Sequence, residues 1–204
     1  MLRFLAQLIS VVCHPLFVPL YAVLILLKAD PFLFGVPFSY DFIFILRTVL
    51  LNAIFFPLVA VVLMRSLNFI ESYELPDRQQ RIFVYIPTII FYGWTYTVFL
   101  KSEYHEALGD IMLGASLAVS AALVINALYA KISMHTLGMG GLMAIALFVS
   151  RNMAKFDMSG VLMLVVLAAG AVGTARLLLQ SHTYAEVYYG YMIGFLCMAL
   201  PLIF

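Results

Sequence analysis

Three ionisable residues close the stretch ARLLLQSHTYAE at the foot of a very apolar segment: Arg176, then His182 six positions on, then Glu186 four later. Such residues are costly beside a membrane, since insertion scales charge roughly 2.5–3.5 kcal/mol for an ionised side chain at the centre of the hydrocarbon. Two further clusters carry similar residue types. LPDRQQR contains Arg78 and ends at Arg81, and KISMH runs from Lys131 through Ser133 to His135. Arginines and a lysine suit an anionic ligand, and the planar guanidinium matches phosphate oxygens especially well. Two histidines can divide labour, one as nucleophile and one as general acid. A carboxylate one helical turn beyond His182 can fix its tautomer and stabilise its cationic form. Ser133 and the amides that open the following helix can hold further oxygens. No cluster has good metal-ligand spacing. Phosphoryl transfer without a metal or other cofactor therefore fits this inventory, with positioning and electrostatics carrying the catalysis.

The elements that must position these residues are apolar helices. The chain has 204 residues, is 65% hydrophobic and has a mean hydropathy of +1.09, whereas soluble domains average about 45–50% apolar. Candidate spans lie at about 4–27, 42–64, 82–100, 108–130, 135–150, 158–180 and 186–204, each near the length a helix needs to cross. The fifth, HTLGMGGLMAIALFVS, is short and glycine-rich and is expected to be partial or tilted. No alternating pattern suggests a barrel. The expectation is an all-α, polytopic bundle of six to seven spans forming a single integral-membrane domain over residues 1–204. The N-terminal segment reads as a retained first span, since no small-residue cleavage site follows it. Cys13 and Cys197 lie inside apolar segments and read as packing residues. A net charge of +1 offers no basic surface for nucleic acid.

Alternating spans put the N-terminus and the connections after spans two, four and six on one face. That face collects Arg65, Glu71, Glu74, Asp77, Arg78, Arg81, Lys131, Ser133, His135, Arg176, His182 and Glu186. The three clusters thus converge although they come from separate connections. With Arg78, Arg81, Lys131 and Arg176 set aside, that face keeps Arg3 and Arg65. The other keeps Lys28, Arg47, Lys101, Arg151 and Lys155. The positive-inside rule then puts the opposite face in the cytoplasm and the clusters outward.

Plainer roles compete with the chemical ones. Arg78 and Arg81 could form a solvated loop pair facing Asp77 and Glu74, and Lys131 could snorkel to the interface. Arg176, His182 and Glu186 could simply cap helix ends. Gln7, Ser10 and His14 share one face of the first span. They are expected chiefly as a bundle contact, with the substrate's path as the alternative, and Pro15 and Pro19 should bend that helix. Gly190 and Gly194, and the ridge Gly114, Ala118 and Ala122, read as close helix packing, with dimerisation as the alternative.

The residues resemble the type 2 phosphatidic acid phosphatase superfamily of membrane lipid phosphatases, which carries K-x6-R-P, P-S-G-H and S-R-x5-H-x3-D. Arg176, His182 and Glu186 reproduce the third spacing, with Ala175 for Ser and Glu for Asp. Ser133, Met134 and His135 resemble the second, with Ile132 for Pro and Met134 for Gly. Arg81 or Arg78 could stand in the first, where Glu74 or Glu71 respectively would hold the lysine position and no Pro follows. KISMHTLGMGGL with SHTYAEVYYGYMIG looks like a divergent bacterial branch. The resemblance implies that His182 attacks phosphorus, Glu186 orients it and His135 protonates the leaving group. It implies that Arg176, Arg78 or Arg81, Ser133 and Lys131 hold phosphoryl oxygens, without a metal. The expected function is hydrolysis of a membrane lipid phosphate or pyrophosphate, in a bacterial inner membrane with the site facing the periplasm. The alternatives are a non-catalytic lipid-binding or structural member of the same fold and a lipid phosphotransferase. A transporter fits less well, because the cluster lies at one interface and not at the midplane.

Overall fold

The computed structural model describes residues 1–30, 32–33, 39–73, 75, 77–102 and 106–204. Among the described residues, seven helical segments are long and apolar enough to cross a membrane: Leu2–Ala29, Tyr40–Ser66, Arg78–Leu100, Glu106–Leu128, Met134–Asn152, Ser159–Leu178 and Tyr184–Ile203. No strand occurs among the described residues. The protein is an all-α integral membrane protein, and each span lies within about a turn of where hydropathy puts it.

Two spans are interrupted. The first consists of α1 (Leu2–Val12) and α2 (Val18–Ala29), joined by a single 3-10 turn over Pro15–Phe17. Proline disfavours helical backbone in the residue before it, and His14 is accordingly extended, with φ −64° and ψ 138°. The Val12 carbonyl released by the break is taken up by the Tyr21 hydroxyl at 2.6 Å. The second span comprises α3 (Tyr40–Thr48) and α4 (Phe56–Ser66), with a π-helical stretch over Val49–Phe55 between them. Pro57 lies just beyond it. A proline ring crowds the carbonyl four residues back, and a π-bulge is one way to relieve that clash. The remaining spans are the single helices α5 (Arg78–Leu100), α6 (Glu106–Leu128), α7 (Met134–Asn152), α8 (Ser159–Leu178) and α9 (Tyr184–Ile203).

The fifth span, expected to be partial or tilted, is a complete 19-residue helix and the most enclosed of the seven. Its modest hydropathy follows from that position: a helix surrounded by α2, α8 and α9 meets protein, so it needs less apolar surface than one facing lipid. Small residues let its backbone touch that of α9. A Cβ on Gly194 would overlap the Leu137 carbonyl, one on Gly140 the Tyr191 carbonyl, and one on Gly190 the Thr136 hydroxyl. Gly114 in α6 meets Met198 of α9 in the same way. These glycines work within the chain, as small-residue helix contacts in lipid do. At the opposite end of the bundle, Lys155 pairs with Asp30 at 2.7 Å and donates its amide to the Ala29 carbonyl. That pins the end of α2 to the α7–α8 connection.

Because the colliding atom at Gly194 is backbone, it cannot swing aside. Gly194→Ala is expected to cost about 1–3 kcal/mol, read as a lower thermal unfolding midpoint of the protein in detergent.

Candidate functional site

A cavity of about 380 Å³ opens among α2, α4, α5, α6, α7, α8 and α9 and the break in the first span. Its polar wall consists of His14, Tyr73, Arg81, Tyr85, His135, Arg176 and His182, and its apolar wall includes Leu58, Val61, Ala115, Val119 and Met198. The two walls lie at different depths. Arg81 is in the first turn of α5, His135 in the first turn of α7, Arg176 in the last turn of α8, and His182 in the α8–α9 connection. All four belong to the one face that span alternation assigns them. On α5, Arg81, Tyr85, Thr88 and Tyr92 follow at three- and four-residue steps and line one wall. That helical stripe descends about 16 Å at 1.5 Å per residue.

The connection that carries His182 is short and tightly folded. Gln180 takes a positive φ of 54°, and the Ser181 amide returns to the Arg176 carbonyl at 3.2 Å. A left-handed residue closing a helix usually is glycine, so nothing in the sequence marks this turn. Thr183 then opens α9 with a capping box: its hydroxyl accepts from the Glu186 amide, and the Glu186 carboxylate accepts from the Thr183 amide. The same carboxylate oxygen lies 2.7 Å from His182 Nδ1. A carboxylate can only accept, so Nδ1 carries the proton and the Nε2 lone pair is left free. The His182 side chain is only 4% exposed. Burial pushes its pKa below the ordinary 6.5, the hydrogen bond to Glu186 pulls it up, and the Arg81 and Arg176 charges lower it further. His182 is thus neutral at pH 7, the form a nucleophile or base requires.

His135 is fixed in the complementary sense. Its Nε2 lies 3.0 Å from the Ser10 carbonyl, which can only accept, so Nε2 is protonated and Nδ1 is the nitrogen that exchanges protons. Arg176 donates to the Ser10 hydroxyl at 3.4 Å. Ser10 therefore joins α1, α7 and α8. Arg81 is 8% exposed and donates to two carbonyls, Leu75 at 2.9 Å and Ile132 at 3.3 Å. Leu75 presents its carbonyl from a left-handed conformation, φ 49°. The Tyr85 hydroxyl, one turn below Arg81, is buried and faces the Arg81 guanidinium.

Of the residues that the sequence suggests, His135, His182, Arg176 and Arg81 line the cavity, and Glu186 sits directly behind His182. Three others stand apart. Arg78 turns away and donates from Nε to the Asn126 carbonyl at 2.9 Å, while the Asn126 amide donates back to the Arg78 carbonyl at 2.8 Å, tying α5 to the end of α6. Ser133 is fully buried as the N-cap of α7, with its hydroxyl toward the Thr136 amide and its own amide on the Glu186 carbonyl at 3.3 Å. Lys131, half-buried between α6 and α7, does not line the cavity. Glu74, placed against the first motif's lysine position, lies outside the described residues.

No family model matches this chain, and no curated protein or solved structure matches it. Among the described residues, no three His, Cys, Asp or Glu side chains gather as metal ligands would.

Sequence reasoning misses Tyr73 and Tyr85 as wall residues and gives His14 only as the lesser of two readings. The Gln7–Ser10–His14 stripe is visible in the sequence but reads chiefly as bundle contact; Ser10 does make that contact, while His14 faces the cavity. Tyr85 is signalled by its place four residues after Arg81.

The two arginines should separate in solution. Arg81→Ala is expected to weaken inorganic phosphate binding about tenfold or more, the worth of one charge-assisted hydrogen bond. Arg78→Ala should leave that affinity unchanged. Calorimetric titration in detergent distinguishes them.

Proposed function

We propose that this protein is an integral-membrane lipid phosphatase that hydrolyses a lipid phosphate or pyrophosphate through a phosphohistidine. The observation that carries the proposal is the graded cavity: two arginines and three histidines at its mouth, apolar side chains below. A phosphorylated lipid is divided the same way, with an anionic head for the guanidinium groups and a hydrocarbon chain for the apolar wall. The spacing of Arg176, His182 and Glu186 and its likeness to the lipid phosphatase motif support the same chemistry.

In the first step the His182 Nε2 lone pair bonds to phosphorus, and the bond from phosphorus to the leaving oxygen breaks. Glu186 holds the Nδ1 proton and stabilises the positive charge that grows on the ring. His135, protonated once the anionic head is bound beside it, gives its Nδ1 proton to the leaving oxygen while its Nε2–H stays on the Ser10 carbonyl. In the second step water attacks phosphorus, neutral His135 takes the water proton at Nδ1, and the phosphorus–nitrogen bond breaks to release phosphate. Arg176 and Arg81 neutralise the phosphoryl oxygens in both steps. With the cavity arginines Arg81 and Arg176 set aside, the mouth's face keeps Arg3, Arg65, Arg78 and Lys131, and the opposite face carries Lys28, Arg47, Lys101, Arg151 and Lys155. Under the positive-inside rule that small excess supports a mouth that opens outward, toward the periplasm of a bacterial inner membrane.

Purified protein is expected to release inorganic phosphate from a panel of lipid phosphates and pyrophosphates with a chelator present. His182→Ala should lose about a thousandfold or more in kcat, on the scale of removing a catalytic nucleophile. Activity of His182→Ala equal to wild type would refute the nucleophile. Because the pKa of His182 is lowered, kcat/KM should hold as pH falls to 6.5 and decline only below it, as His182 takes a proton. An acid limb above 6.5 would contradict the assignment.

A further inference from the structure

Among the described residues, His14 is the one histidine of the cavity wall outside the motifs of the sequence, and its geometry is as defined as that of the other two. Pro15 forces the backbone at His14 out of the helix. The side chain then caps the 3-10 turn, with Nδ1 accepting from the Leu16 amide at 3.3 Å. An acceptor Nδ1 leaves the proton of the neutral ring on Nε2. No group among the described residues accepts from that Nε2–H, yet the ring lies in the cavity wall. It stands edge-on to His135, with ring centroids 5.3 Å apart and planes at 85°. The three histidines thus offer different atoms: a lone pair on His182, an exchangeable site on His135 and a fixed donor on His14.

We propose that His14 is a phosphate ligand, its Nε2–H donating to a phosphoryl oxygen held between Arg81 and Arg176. This rests on the phosphate-processing reading of the cavity and names a residue that completes it. Lys131 and Arg78 stand outside, which leaves two guanidinium groups for a headgroup with several acceptor oxygens. A donor fixed by its own cap loses little entropy when the ligand arrives. It also does not compete with His135, whose Nε2–H is committed to the Ser10 carbonyl.

Two conservative substitutions separate a ligand from a purely structural cap. Asparagine places an acceptor where Nδ1 was, so it keeps the cap on the Leu16 amide but cannot reach the cavity. Glutamine places an N–H near the Nε2 position, so it keeps the reach and loses the cap. Inorganic phosphate and orthovanadate would be titrated into the full chain in detergent, with unliganded melting of each variant as the folding control. His14→Ala and His14→Asn are expected to bind about tenfold more weakly, and His14→Gln within about threefold of wild type. Wild-type affinity in His14→Asn with a loss in His14→Gln would overturn the proposal and leave His14 a cap. Wild-type affinity in all three variants would overturn it as well. If wild-type protein binds neither anion, the phosphate reading itself falls and takes the His14 proposal with it. If wild type binds and Arg176→Ala does not, the phosphate reading stands, and the three His14 variants then decide the role of His14 separately.

Discussion

The backbones of α7 and α9 touch at Gly140, Gly190 and Gly194, where a single added carbon would collide with a carbonyl or a hydroxyl. Both candidate catalytic histidines depend on that contact. His135 lies in the first turn of α7, and His182 lies two residues before α9 begins. The Ser133 amide on the Glu186 carbonyl joins the two helix starts. In lipid no hydrophobic force draws helices together, so small residues and interhelical hydrogen bonds must hold this spacing. The cavity mouth inherits its geometry from how little separates these two helices.

Electrostatics gives the mouth its sense. Arg81 is buried, and its partners are the carbonyls of Leu75 and Ile132, with no carboxylate paired to it among the described residues. Carbonyls occupy two of its donors and leave a full positive charge in a place where charge is expensive. The Glu186 carboxylate is engaged by His182 and the Thr183 amide. A bound anion would lower the energy of this arrangement. The histidines answer the same field: each has one nitrogen fixed by an identifiable partner or cap, which leaves its other nitrogen defined toward the cavity.

The architecture is legible in the sequence because hydrocarbon imposes it: apolar runs of crossing length must be helices, and alternation sorts their connections onto two faces. That Arg81, His135, Arg176 and His182 share one face follows from that sorting alone. Finer placement does not follow. Arg78 and Arg81 lie three positions apart at the start of one helix, and only the position of Asn126 on α6 decides which turns inward. Ser133 has the residue type of a phosphate ligand, but a serine before a helix is also an N-cap, and the cap takes the hydroxyl here. Lys131 sits in a connection whose exit direction hydropathy cannot give. For His14 the sequence offers both a bundle contact and the substrate's path, with Pro15 expected to bend the span; only the extended backbone at His14 shows that the ring turns to the cavity.

The central claim is that His182 forms a covalent bond to phosphorus through Nε2. Protein quenched in alkali during turnover of a phosphate-labelled lipid, then digested and sequenced by mass spectrometry, tests it directly, since phosphohistidine survives alkali and not acid. The expected result is label on the peptide that contains His182, at Nε2, absent from His182→Ala. Label on another residue, or sustained turnover with no labelled protein at any quench time, would contradict the claim.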